Sequence, residues 1–186
     1  MYDWSFWARD NQVPPEGDWL HWLILAGRGF GKTRTGAEWV RMLVEEGRAS
    51  RIALVAPTAA DARAIMVEGE SGLLAVSPPW FRPKYEPSKR QLVWPNGAIA
   101  TTYSADEPER LRGPQHDAAW MDEVCAWRYG EAALDMLMFG LRLGEKPQTC
   151  ITTTPKPGGV LHRLLASESV AVTRGTTYDN LANLAP

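Results

Sequence analysis

Short apolar runs alternate along this chain with stretches of three-to-four periodicity. Trp22-Leu23-Ile24-Leu25, Arg51-Ile52-Ala53-Leu54-Val55-Ala56 and Ala118-Ala119-Trp120-Met121 are bounded and nearly unbroken by polar residues. Runs of that length predict strands buried on both faces, the pattern of a parallel sheet. Between the first two, Ala37, Val40 and Val44, with Leu43, mark a single buried stripe. They predict a helix from Thr33 to about Glu46, stopped by Gly47 as a C-terminal cap. Thr58 with Asp61 has capping-box spacing and starts another helix. Strand, helix, strand, helix is an α/β order.

The rest of the chain adds punctuation to that order. Residues 68–90 are loop-rich, with Pro78, Pro79, Pro83 and Pro87. Gln91-Leu92-Val93-Trp94 and Ala98-Ile99-Ala100-Thr101 flank Pro95-Asn96-Gly97 and predict a β-hairpin, Asn-Gly supplying the positive φ of a tight turn. A helix is expected from about Tyr129 to Leu143, on Ala133, Leu137, Phe139 and Leu141. Thr149–Thr154 reads as a strand, Gly158-Gly159 opens a short helix through Leu165, and Val170–Thr173 is a last strand. Residues 1–19 are irregular but carry Trp4, Phe6, Trp7 and Trp19, and so many large rings predict a segment packed on the domain.

Length and charge narrow this only a little. The 186 residues suffice for one domain with a sizeable core, and a formal net charge of −2 gives no overall nucleic-acid signature. Any DNA-handling role needs a local basic face. The densest candidate is Arg82, Lys84, Lys89 and Arg90, interleaved with Trp80, Phe81 and Tyr85; it reads as a phosphate-backbone surface or as a solvated face. The two cysteines, Cys125 and Cys150, sit in or beside apolar runs without metal-ligand spacing and read as buried thiols. No membrane-length apolar stretch or signal peptide is visible, so a soluble, intracellular protein is expected.

Chemistry enters at Ala26-Gly27-Arg28-Gly29-Phe30-Gly31-Lys32-Thr33, set between the first strand and the first helix. That context is what a phosphate-binding loop requires: glycines let backbone N–H groups turn around a polyphosphate, and the helix points its positive N-terminus at the same anion. Lys32 would reach the β- and γ-phosphates and the Thr33 hydroxyl would ligate Mg²⁺. The common form begins with glycine, and Ala26 stands there instead. Arg28 is unusual, because a guanidinium in the loop would lie beside the γ-phosphate.

A partner follows at Trp120-Met121-Asp122-Glu123. Asp122, at the end of an apolar strand, would hold Mg²⁺ directly or through water, and Glu123 would orient and polarise the attacking water. Thr152, Thr153 and Thr154 close another strand, and strand C-termini are where ligands of open parallel sheets bind. Their hydroxyls either sense the γ-phosphate or simply make a good strand. Gln12, upstream of the first strand, offers a donor and an acceptor that match an adenine edge, or is a surface glutamine.

With both ends of the site placed, the chain resembles the ATPase domain of a large terminase subunit, the DNA-packaging motor of tailed phages and gene transfer agents. The resemblance spans nearly the whole chain: the arginine-bearing loop with Thr35-Gly36-Ala37-Glu38-Trp39 behind it, Val55-Ala56-Pro57-Thr58, Leu111-Arg112-Gly113 ahead of Trp120-Met121-Asp122-Glu123, Thr152-Thr153-Thr154-Pro155, and the tail Thr177-Tyr178-Asp179-Asn180. It implies a RecA-like P-loop NTPase whose mostly parallel sheet is flanked by helices. It also implies a homo-oligomeric ring on a capsid portal protein, a small terminase subunit as partner, double-stranded DNA as cargo, and the bacterial host cytoplasm as location. The family's second domain is a metal-dependent nuclease for which this length leaves no room, so an isolated ATPase domain without nuclease activity, monomeric when alone, is expected. Ring motors also borrow an arginine from the neighbouring subunit. Arg112 is the candidate here, ahead of Arg110 and Arg90. A helicase of the related superfamilies shares the loop, the Asp-Glu pair and Ala-Pro-Thr, and is the alternative; a small P-loop kinase or switch would lack Glu123 and the threonine-rich strand.

Overall fold

In the computed structural model, which describes residues 2–183, eight strands form one sheet. They are β1 (His21–Ala26), β2 (Arg51–Ala56), β3 (Lys84–Glu86), β4 (Gln91–Val93), β5 (Ile99–Ser104), β6 (Ala118–Asp122), β7 (Gln148–Thr153) and β8 (Val170–Gly175). Their spatial order is β3-β4-β5-β2-β6-β7-β1-β8. All pairings from β5 to β8 are parallel, and only β3 and β4 extend the sheet antiparallel. The helices are α1 (Trp4–Trp7), α2 (Lys32–Glu45), α3 (Ala59–Asp61), α4 (Leu73–Val76), α5 (Gly130–Gly140) and α6 (Gly159–Leu165), with π-helical Ala62–Val67 continuing α3.

The apolar runs become central strands because both faces of the sheet are covered. Side chains alternate across a strand. Trp22, Ile24 and Ala26 therefore enter one core with Ala37, Val40, Leu43 and Val44 of α2, whereas Leu23 and Leu25 enter a second core with Leu134 and Leu137 of α5. Trp120 lies against α2 so closely that a Cβ on Gly36 would sit 2.3 Å from its indole. Helix α2 ends as expected, with Gly47 just past the cap at φ +69.

The hairpin between β4 and β5 turns through Pro95-Asn96-Gly97 as expected, Trp94 N donating to Ala98 O and Gly97 N to Trp94 O at 2.9 Å each. Only Gly97 has positive φ there, and Asn96 instead donates to Val44 O and accepts from Ala98 N. Several local readings are corrected. Strand β3 lies inside the stretch read as loop; three residues beside proline carry too little periodicity to announce a strand. Strand β5 runs on to Ser104, and α5 stops at Gly140. Of the N-terminal rings, Trp4 and Trp19 are buried, but Phe6 and Trp7 stay exposed against each other. Cys150 is buried and Cys125 half-buried. Among the described residues no helix is long and apolar enough to cross a membrane.

Candidate functional site

The loop from Gly27 to Gly31 leaves the C-terminal end of β1 and enters α2 at Lys32. Gly29 and Gly31 have φ of 77° and 97°, left-handed conformations that glycine adopts without a Cβ penalty. Ala26 is buried as the last residue of β1 and its carbonyl accepts from Lys32 Nζ at 3.0 Å, so a methyl group is accommodated where the common loop has glycine. Phe30 turns its ring into the core against Gly175; only its backbone is available to an anion. Arg28 is exposed and its guanidinium has no hydrogen-bond or ion-pair partner among the described residues.

Sheet order builds the remainder. Strand β7 is inserted between β1 and β6, which sets its C-terminal threonines between the loop and the Asp-Glu pair. Lys32, only 8% exposed, donates to Gly27 O and to Thr154 Oγ1 at 3.1 Å each and lies 3.5 Å from Glu123 Oε1. Thr154 in turn donates through its hydroxyl to Glu123 Oε1 and through its amide to Glu123 Oε2, at 3.2 and 3.0 Å. Glu123 adopts φ 50°, ψ 47°, which turns the chain out of β6 and aims its carboxylate back across β7. A left-handed non-glycine residue costs about 1–2 kcal/mol. Such strain at a site of this kind is consistent with a functional constraint.

Asp122 ends β6 and is 3% exposed. Its Oδ1 accepts from Thr152 Oγ1 at 2.7 Å, and that hydroxyl accepts from Trp120 Nε1 at 2.9 Å. Burial pushes the Asp122 carboxyl up to about 6, against the lowering effect of the Thr152 hydroxyl. Thr153 faces the other way, its Oγ1 accepting from Cys125 N. The three threonines are thus divided: Thr152 on Asp122, Thr153 on the following turn, Thr154 on Lys32 and Glu123.

Gln12 is buried beside the loop, its amide accepting from Arg9 N and donating to Thr35 Oγ1 at 3.0 Å. Trp4, Trp7, Arg9, Gln12, Gly31 and Arg34 line a cavity of about 550 Å³ next to it. Arg112 is 76% exposed, with Glu109 3.8 Å off, and lines a cavity with Met136, Phe139 and Arg142. Arg110 and Arg90 both approach Glu107, at 2.7 and 3.6 Å. In the basic stretch Lys84 and Lys89 share Glu86, leaving Arg82 without an ion pair among the described residues.

Sequence reasoning missed the partners on the loop's outer side. Thr177 Oγ1 donates to Arg28 O at 2.7 Å, Asn180 Nδ2 to Gly29 O at 2.6 Å, and the Arg9 guanidinium to Phe30 O. Along the chain Thr177 and Asn180 stand out only as part of a family-like tail, and nothing signals Arg9.

Several solved structures share this fold. The ATPase domain of the large terminase of Thermus phage P74-26 superposes with a TM-score of 0.65 at 16% identity, over 91% of this chain and 84% of that one. The large terminase of a thermophilic bacteriophage in complex with ADP gives 0.69 at 16%, over 99% of this chain but 45% of that one. The N-terminal domain of the DNA packaging ATPase from bacteriophage phi29 gives 0.65 at 11%, over 90% and 94%. No curated protein matches the sequence. The model of the family described as terminase large subunit, T4likevirus-type, N-terminal, matches residues 23–179. With most of its length matched, including the loop and the Asp-Glu strand, this chain belongs to the terminase large-subunit family.

Proposed function

We propose that the chain is the ATPase of a DNA-packaging motor, hydrolysing ATP to drive double-stranded DNA into a phage or gene-transfer-agent capsid. The observation that carries this is the Lys32–Thr154–Glu123 contact at the C-terminal ends of β1, β7 and β6. Lys32 exchanges its carbonyl partners for the β- and γ-phosphates. Amides of the loop, Gly27 to Thr33, cradle the same oxygens. Glu123 orients the attacking water and accepts its proton as the water oxygen bonds to the γ-phosphorus; the bond from that phosphorus to the β–γ bridging oxygen breaks, releasing ADP and phosphate, and the proton passes from Glu123 to phosphate or solvent. Arg28 approaches the γ-phosphate in its own subunit, and Arg112 approaches that of a neighbour.

The donor set fits Mg²⁺. Asp122 supplies a carboxylate with Oδ2 unpartnered among the described residues, Thr33 a hydroxyl likewise without a partner, and phosphates and waters complete hard-oxygen coordination. The ion would neutralise charge on the phosphates. Among the described residues no cluster of three or more acidic, histidine or cysteine side chains could hold a metal by itself.

Thr152 and Thr154 couple the metal carboxylate and the catalytic glutamate to β7, while Thr153 fixes the turn beside them. Gln12 contributes to the nucleoside side of the cavity through Arg9 and Thr35. The working form is a homo-oligomeric ring on a portal protein, supplied with DNA by a small terminase subunit in the bacterial host cytoplasm; residues 1–186 form its ATPase domain and carry no nuclease activity. ATP turnover with and without duplex DNA, alongside a strand-separation assay, tests the reading. Turnover without strand separation supports a packaging motor, whereas unwinding favours the helicase alternative.

A further inference from the structure

We propose that Arg9, Thr177 and Asn180 are positioning residues that hold the phosphate-binding loop open for its ligand, a role that rests on the nucleotide reading of this loop. Their donors reach three consecutive carbonyls, Phe30 O, Arg28 O and Gly29 O respectively. A fourth carbonyl, Gly31 O, accepts from Thr35 Oγ1 at 3.0 Å and from Thr35 N at 2.9 Å. The four contacts form one braced row. Arg9 donates to Asn180 Oδ1 at 2.6 Å, and Gln12 joins Arg9 N to Thr35 Oγ1.

The consequence follows from peptide geometry. No peptide bond here is cis. In a planar trans peptide the carbonyl of one residue and the N–H of the next point in opposite directions. Fixing the carbonyls of Arg28, Gly29 and Phe30 toward Thr177, Asn180 and Arg9 therefore turns the amides of Gly29, Phe30 and Gly31 to the opposite side. Those amides have no acceptor among the described residues. Successive unpaired N–H groups of this kind make an anion-binding concavity. A released carbonyl is free to rotate inward, which removes one donor and sets an acceptor against the phosphate.

Gly27 fits the same account. A Cβ there would sit 2.8 Å from Thr177 Oγ1, so glycine lets the strap cross close to the loop. The donors come from opposite ends of the described chain, and neither end touches the Asp-Glu side of the site through these groups. The role is thus separable from that of Lys32 and Glu123.

Thr177→Val and Asn180→Leu remove the donors at nearly constant size and without changing charge. The full chain is compared by MgADP calorimetry and by hydrogen–deuterium exchange of the peptide covering residues 27–33 in nucleotide-free protein, with thermal midpoints to establish folding. Each variant is expected to bind MgADP about tenfold more weakly, as loss of one well-placed hydrogen bond implies. Exchange should rise in residues 27–33 and not in β2. Thr177→Ser, which keeps the hydroxyl, is expected to restore both readouts. Unchanged loop exchange, or MgADP affinity within twofold in both variants, overturns the role. Failure of the unaltered protein to bind MgADP overturns the nucleotide reading itself, and this role with it.

Discussion

Lys32 and Glu123 face each other across Thr154, 3.5 Å from ammonium to carboxylate, with the threonine hydroxyl accepting from one and donating to the other. Lys32→Ala removes the buried ammonium at the loop. ATP turnover should fall to background in a protein that remains folded by circular dichroism. Retained hydrolysis would show that the loop is not the phosphate site.

The role proposed for Glu123 should separate chemistry from binding. Its contacts are to Thr154 and Lys32, and Glu123→Gln keeps size and hydrogen bonding while weakening the acceptor for the attacking water. The rate constant for hydrolysis should drop by at least about a hundredfold, the scale of general-base assistance, with ATP affinity within a few-fold. An equal loss of affinity would place Glu123 on the metal instead.

With Asp122 in its proposed metal-binding role, stability and activity are expected to respond oppositely to pH. Burial raises its folded-state pKa from 3.8 to about 6. Its protonated form thus contributes stability that is complete below about 3.8 and lost as pH rises through about 6. Asp122→Asn keeps a neutral group at every pH. Without metal or nucleotide it should be more stable than the parent at pH 8 by roughly 2–3 kcal/mol, the shift converted at about 1.36 kcal/mol per unit, and no more stable at about pH 3.5. Denaturant midpoints at the two pH values measure this. Mg²⁺-dependent turnover should be absent in the same variant.

Gly36→Ala sets helix propensity against packing. Alanine favours a helix interior by about 0.5–1 kcal/mol. The new methyl would meet the Trp120 indole at 2.3 Å, and Trp120 is fully buried and bonded to Thr152. Overpacking of that kind costs about 1–3 kcal/mol, so a net loss of stability is expected in urea unfolding. An unchanged or raised midpoint would mean that β6 shifts freely under α2.

Arg112 is exposed enough to serve another subunit. Isolated protein should hydrolyse ATP slowly, with specific activity rising with protein concentration, because an arginine supplied in trans is worth about 10³–10⁵ in rate. Mixing Arg112→Ala with Lys32→Ala protein should recover turnover, each supplying what the other lacks. Normal hydrolysis by Arg112→Ala under assembled conditions would remove it from this role.

Much of this molecule is written locally. Runs such as Leu23–Leu25 and Ile52–Ala56 can only be buried on both faces, which forces central parallel strands and helical cover. Gly29, Gly31 and Lys32 between strand and helix, and Asp122-Glu123 at a strand end, announce themselves because their chemistry depends on chain-local geometry. What tertiary structure alone decided is who meets whom. The insertion of β7 between β1 and β6 brings Thr154 onto Lys32 and Glu123, and alternation along the strand sends Thr153 elsewhere. The strap of Arg9, Thr177 and Asn180 joins residues separated by up to 171 positions, and its donors carry no periodic signature. Hydrophobic period records which face is buried. Hydrogen-bond partners across the sheet depend on strand order, which no local pattern encodes.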